Sequence, residues 1–140
     1  FDLQTWKNLV ITYKRLENVI DHFMPRSRRN NTFCRPLTTI SETIINQASN
    51  IGELRAAFNH NRYHKVNLEA YARHRTVEFR QHGGSTNFTK MSAWIHFLAK
   101  MITFAKQGKV QTNTTLQDVP FLTESEKLYF RLRTKKLAAC

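Results

Sequence analysis

The sequence predicts an α+β fold: an antiparallel strand pair flanked by helices. Long stretches repeat apolar residues every three or four positions, the period of a helix with one face in a core. Two central stretches, 65–71 and 75–82, instead alternate apolar and polar residues, the period of a half-buried strand. A short turn between them predicts a hairpin. The 140 residues suit one domain or part of one, and 41% hydrophobic residues suffice for a core. Only 4 Gly and 3 Pro argue against a linker or low-complexity segment.

In chain order, Leu3, Trp6, Leu9, Val10, Tyr13, Leu16, Val19, Ile20 and Phe23 predict a first helix over about 2–24, ended by Pro25. Residues 25–37 read as a basic loop, with Arg26, Arg28, Arg29 and Arg35 between Pro25 and Pro36. Ser41 caps a short helix to about Ser49, and a second runs from Ile51 to Phe58. In the first strand Val66, Leu68 and Ala70 share one face; in the second, Val77 and Phe79 oppose Thr76, Glu78, Arg80 and His82. Gly83 and Gly84 end the hairpin, and Ser85, Thr86 or Asn87 caps a long helix to about Lys106. Its expected apolar face is Phe88, Met91, Trp94, Ile95, Leu98, Met101, Ile102 and Ala105, and Gly108 stops it. After a polar loop, the capping box at Thr123 to Glu126 opens a basic final helix. Two strands are too few for a complete α+β domain, so the pair calls for neighbouring strands.

Composition narrows the function classes. A net charge of +12 favours a polyanionic partner: nucleic acid, ATP or an acidic protein surface. No apolar run approaches the length of a membrane span, and the start lacks the pattern of a signal peptide. Cys34 and Cys140 are too isolated for a disulfide framework, which points to a reducing, cytoplasmic setting. His60, His64 and His74 lack the spacing of zinc ligands. The chain begins with Phe rather than Met, which reads as a piece of a longer polypeptide.

The stretch from Arg75 to Gly84 carries the chemistry. A pleated strand sets Glu78, Arg80 and His82 on one face, with successive residues about 7 Å apart. A carboxylate suits Mg²⁺ or Mn²⁺, and a guanidinium two residues on can clamp a phosphate with two bonds. Together they neutralise a transferring phosphoryl group. The competing reading is a solvated strand face with cross-strand ion pairs.

The run Arg75-x-Val77-Glu78-Phe79-Arg80 resembles the C-terminal signature of the glutamine-synthetase superfamily, in which a strand carries a metal-binding glutamate and a phosphate-binding arginine. The longer pattern is similar to the amidoligase branch of those carboxylate–amine ligases, found in phages, plasmids and fungi. It comprises Pro25-Arg26-Ser27-Arg28-Arg29, Arg35-Pro36-Leu37, Asn67-Leu68, Thr76-Val77-Glu78-Phe79-Arg80-Gln81-His82 and Trp94-Ile95, and spans roughly residues 9 to 107.

The resemblance implies that residues 1–110 are the C-terminal part of a glutamine-synthetase-like catalytic domain, with a loop and basic helix over 111–140. It implies an ATP-dependent ligase joining a carboxylate to an amine. Glu78 would bind Mg²⁺ or Mn²⁺, Arg80 would hold ATP phosphates or an acyl phosphate, and His82 would bind phosphate or move a proton. Arg28, Arg29, Arg35 and Asn67 would contact phosphate or substrate; Arg75, on the opposite pleat face, joins them only through a twist or bulge. His82 also reads as a structural strand-end histidine, the arginines as a solvated loop, Trp94 and Ile95 as core residues, and His96 as a surface residue. A phage origin would place the chain in the host cytoplasm or the virion. Such sites use several carboxylates, and none lies between Glu78 and Asp118, so an upstream segment or partner chain is expected to supply the rest. The alternative is a basic nucleic-acid-binding or structural module, within a phage assembly, on a degenerate ligase fold.

Overall fold

The computed structural model describes residues 1–139; Cys140 lies outside them. Helix α1, Leu3–His22, is the element around which the rest is arranged. Asp2 starts it, its Oδ1 accepting the Thr5 N–H at 2.8 Å. Leu9, Tyr13, Leu16 and Ile20 recur at helical spacing and are each 0% exposed. Fully burying a Leu or Ile side chain contributes about 1.5–3 kcal/mol. The helix ends two residues earlier than the periodicity suggests. The Phe23 N–H turns back to the carbonyls of Ile20 and Asp21, so Phe23 and Met24 reach the core from outside the helix.

The basic loop contains one 3₁₀ turn, Arg26–Arg28. Helices α2, Glu42–Gln47, and α3, Ile51–Ala57, follow, capped by Ser41 and Asn50.

The strand pair is shorter than the alternation predicts. Strand β1, Val66–Asn67, pairs antiparallel with β2, Glu78–Phe79, in the register Val66 to Phe79 and Asn67 to Glu78. The bond from the Arg80 N–H to the Lys65 carbonyl, at 2.8 Å, extends the ladder by one rung. In place of a short turn, helix α4, Ala70–His74, joins the two strands. Asn67 is the cause. Its Oδ1 accepts the Glu69 N–H at 2.9 Å, a local turn that competes with the ladder and draws the chain off β1. Arg75, left-handed at φ 57°, ends α4 and returns the chain toward β2.

Helix α5, Phe88–Lys106, starts at Asn87 and lies against α1. Its buried face is Trp94, Phe97, Met101, Phe104 and Ala105. This corrects the sequence-derived face. Phe97 and Phe104 turn inward, while Phe88, Met91 and Ile95 are 82%, 41% and 57% exposed. The helix is apolar around a wide arc, and packing on α1 selects only part of it. Gly108 ends the turn at φ 79°, a conformation costly for any residue with a Cβ.

After a second 3₁₀ turn, Leu116–Asp118, helix α6, Glu124–Ala138, begins with the expected capping box. Val119, Leu122 and Phe130 join the same core as α1. Phe130 meets Phe23 at a ring separation of 4.4 Å and Phe97 at 5.4 Å. The architecture is α+β, with a two-stranded antiparallel sheet flanked by helices. Among the described residues, no helix is long and apolar enough to cross a membrane.

Candidate active site

Strand β2 divides its residues between two environments. Phe79 turns inward and stacks on Tyr13, the ring centroids 6.1 Å apart. Glu78 and Arg80 turn outward to a cleft of about 370 Å³. There Arg80 Nη1 donates to Glu78 Oε1 at 2.7 Å. Asn67 Nδ2 donates to the other carboxylate oxygen of Glu78 at 3.3 Å. Asn67 is 5% exposed, so the pairing register fixes a buried amide beneath an exposed carboxylate.

The remainder of the cleft is mostly basic. Arg62, Tyr63, Glu69, Arg73 and His74 complete its wall. The Arg80 and Arg62 guanidiniums lie over the Tyr63 ring, 5.3 and 4.9 Å from its centroid. Glu69 is already paired, to Arg55 at 2.6 Å and to His60 at 2.8 Å. No carboxylate of the described residues pairs with Arg62 or Arg73. The Nε of Arg80 is buried without a hydrogen-bond partner. A buried N–H of this kind is rare.

Of the residues singled out in the sequence, Glu78, Arg80 and Asn67 meet in this cleft. The others lie outside it, although His82 lines an adjoining groove that Glu78 also borders. His82 places Nδ1 2.7 Å from the Gly83 carbonyl and stacks on Trp94 at 5.7 Å, which turns its ring toward α5. Arg75 is not on the strand; its guanidinium covers the Tyr71 ring at 5.0 Å. Arg28 Nε donates to the Gln81 carbonyl at 3.0 Å, and its Nη2 donates to the Arg80 carbonyl. Arg29 Nε donates to the Met24 carbonyl at 3.0 Å. The backbone of Arg35 is tied to Tyr63 and Lys65, and its side chain lines a separate cavity beside α2 and α3. Arg28 and Arg29 thus brace backbone carbonyls of the loop and the strand end.

The sequence alone marks none of Arg62, Tyr63, Glu69, Arg73 and His74 as part of this cleft. The only sequence signal for Arg73 and His74 is the basic run Arg73-His74-Arg75, and alternation assigns its first two residues to a turn.

The fit to a metal is partial. Glu78 is a hard oxygen ligand, but among the described residues no three His, Cys, Asp or Glu side chains group to hold an ion. One carboxylate is not a metal centre. The fit to a phosphate or carboxylate is better, since Arg62 and Arg73 line the cleft without a salt bridge to any carboxylate of the described residues.

A family model described as "Putative amidoligase enzyme" matches residues 1–102, well over half of the chain. The chain belongs to the amidoligase family. The match contains the whole cleft, both strands and most of α5, and it ends before α6. It suggests a ligase-type function for the chain. Among the curated proteins and the solved structures, nothing matches the chain.

Proposed function

We propose that this amidoligase chain carries the phosphate-binding side of an ATP-dependent carboxylate–amine ligase. The observation that carries the reading is the pairing of Glu78 with Arg80 at 2.7 Å in a basic cleft, within the region matched to the family. In such a reaction ATP phosphorylates a carboxylate, and an amine displaces the phosphate to give an amide. Both steps develop charge on phosphoryl oxygens, which guanidinium donors stabilise. Arg80 offers its Nη groups to those oxygens, while Asn67 holds the Glu78 carboxylate in place. Arg62 and Arg73, on the same wall, supply further donors for the nucleotide phosphates or the substrate carboxylate.

Glu78 contributes one ligand toward Mg²⁺ or Mn²⁺. The remaining carboxylates come from a segment outside this sequence or from a partner chain. The test is Mg²⁺-dependent ADP release by the intact protein, with any natural partner, in the presence of a carboxylate and an amine. ADP release that is lost in Arg80→Gln supports the reading. Release that is indifferent to Arg80→Gln and Glu78→Gln overturns it.

A further inference from the structure

Beneath the cleft runs a buried polar chain that plays no direct part in the ligase reading. Tyr13, Lys65 and Gln81 are each 0% exposed. The Tyr13 hydroxyl donates to Gln81 Oε1 at 2.6 Å, and Gln81 Nε2 donates to Asp21 Oδ1 at 2.5 Å. Lys65 Nζ donates to the same Asp21 oxygen at 2.8 Å and lies 3.3 Å from Glu17 Oε2. Glu17 in turn accepts the N–H groups of Leu37 and Thr38 at 2.7 and 3.2 Å. Helix α1 therefore grips the strand end, the residue before β1 and the segment after the arginine loop through one connected set of bonds.

The set converges on Arg80. Its N–H is bonded to the Lys65 carbonyl, its own carbonyl takes Arg28, and the next residue, Gln81, is anchored by both side chain and backbone. Along an extended strand, fixing the inward residues fixes the direction of the outward ones. Gln81 suits this place chemically. Asp21 requires a donor, and the Tyr13 hydroxyl requires an acceptor; a carboxamide supplies one of each.

We propose that Gln81 is a positioning residue, which aims the Arg80 guanidinium into the cleft through its bonds to Tyr13 and Asp21, with Arg28 as a second clamp. This rests on the reading of Arg80 as a phosphate ligand. A site of this kind loses about tenfold to a hundredfold in function when its supporting shell is loosened.

The experiment compares Gln81→Met, Gln81→Glu and Tyr13→Phe with the natural sequence in the intact protein. Gln81→Met fills similar space without either bond. Gln81→Glu places a carboxylate against Asp21 and must take up a proton to restore the donor. The charged and titratable groups bonded to it are Tyr13 and Asp21 from α1 and Arg28 from the loop, and Lys65, Glu17 and Cys34 join the same set through Asp21 and Tyr13. Two quantities are read: the Arg80 Nε–H signal by ¹⁵N NMR without ligand, and Mg·ATP affinity. The expected result is a broadened Arg80 signal and affinity about tenfold weaker in Gln81→Met. In Gln81→Glu, affinity returns as pH falls from about 8 toward about 5, which the natural protein does not show. Tyr13→Phe, which removes one hydroxyl from an unchanged core shape, broadens the same signal should the others unfold. An Arg80 signal unaltered in folded variants overturns the proposal. If the natural protein binds no Mg·ATP, the ligase reading fails, and the Arg80 signal still decides the positioning.

Discussion

Arg80 Nη1 lies 2.7 Å from Glu78 Oε1, the arginine one residue past the end of β2 on the same face. The two side chains are 24% and 48% exposed, so the pair contributes only about 0.2–1 kcal/mol. A pair this weak can exchange partners at little cost. A cation can replace Arg80 at the carboxylate, and a phosphate can replace Glu78 at the guanidinium. Its value lies in holding both groups in one cleft, and stability and function should therefore separate when it is broken. Glu78→Gln is expected to change unfolding free energy by less than about 1 kcal/mol in urea titrations. Mg·ATP turnover by the intact protein is expected to fall by about a hundredfold or more. Turnover that survives the substitution would remove Glu78 from the site.

The buried ion set beneath the cleft should behave in the opposite way. Lys65 is 0% exposed and serves Glu17 and Asp21, which are 3% and 23% exposed as side chains. Replacing it by Met leaves two carboxylates without their cation. Lys65→Met is expected to cost about 3–5 kcal/mol, read by chemical denaturation. Adding Glu17→Gln and Asp21→Asn to the same chain should recover much of that loss, because no uncompensated charge then remains. A single substitution that leaves the midpoint unchanged would show that the set carries no such energy.

How far the sequence could be read follows from where the physics is local. The helices α1, α5 and α6 were legible because a 3.6-residue period and side-chain caps act within one segment. The strand pair was legible in place and partners but not in length. Alternation through Val66, Leu68 and Ala70 looks the same whether or not Asn67 bonds to the Glu69 N–H, and that one bond turns the chain into α4. The inward face of α5 depended on which part of a wide apolar arc meets α1, which no single segment states. Of the cleft's lining, Glu78, Arg80 and Asn67 are legible as neighbours because they lie on or next to paired strands. Arg62 and Arg73 were missed because only the fold brings them to the same cleft. A lysine and a glutamine read as surface residues; Lys65 and Gln81 are buried because α1 supplies their partners across the chain.

Acid should destabilise the fold through two carboxylates outside the cleft. The hydrogen bond from Arg15 holds the Glu42 carboxyl below its ordinary value of 4.5, against some opposing desolvation. For Glu126, burial pushes the carboxyl up, but bonds from Lys100 and Thr123 outweigh it and leave the value lowered. A carboxyl depressed by folding adds stability above its unfolded value, and that stability is lost as pH falls through the folded value. Both groups are partly exposed, at 29% and 23%, so each is expected to contribute no more than about 1 kcal/mol after solvent screening. Thermal melts should fall as pH drops below about 4.5. The drop should be smaller in Glu42→Gln combined with Glu126→Gln, which starts from a lower melting temperature at neutral pH. Equal acid sensitivity in that double variant would assign the effect to other groups.

The net charge of +12 raises a second kind of anion binding, which can be separated from the cleft by its salt dependence. Arg131 and Lys135 are exposed on α6, beyond the region that matches the family. When such side chains neutralise a phosphate backbone they release counterions, so affinity falls linearly with the logarithm of salt concentration. Duplex DNA of arbitrary sequence is expected to bind at low salt and to weaken by orders of magnitude as salt rises. Replacing Arg131 and Lys135 by Gln should reduce the slope by about 2, one for each phosphate no longer neutralised. Glu78→Ala should leave that slope unchanged, because DNA binding by α6 makes no use of a carboxylate in the cleft. Mg·ATP binding should show the reverse, with strong dependence on Glu78 and indifference to the two α6 substitutions. A shared response of both ligands to Glu78→Ala would mean that the DNA backbone enters the cleft itself, and the two anion sites would then be one.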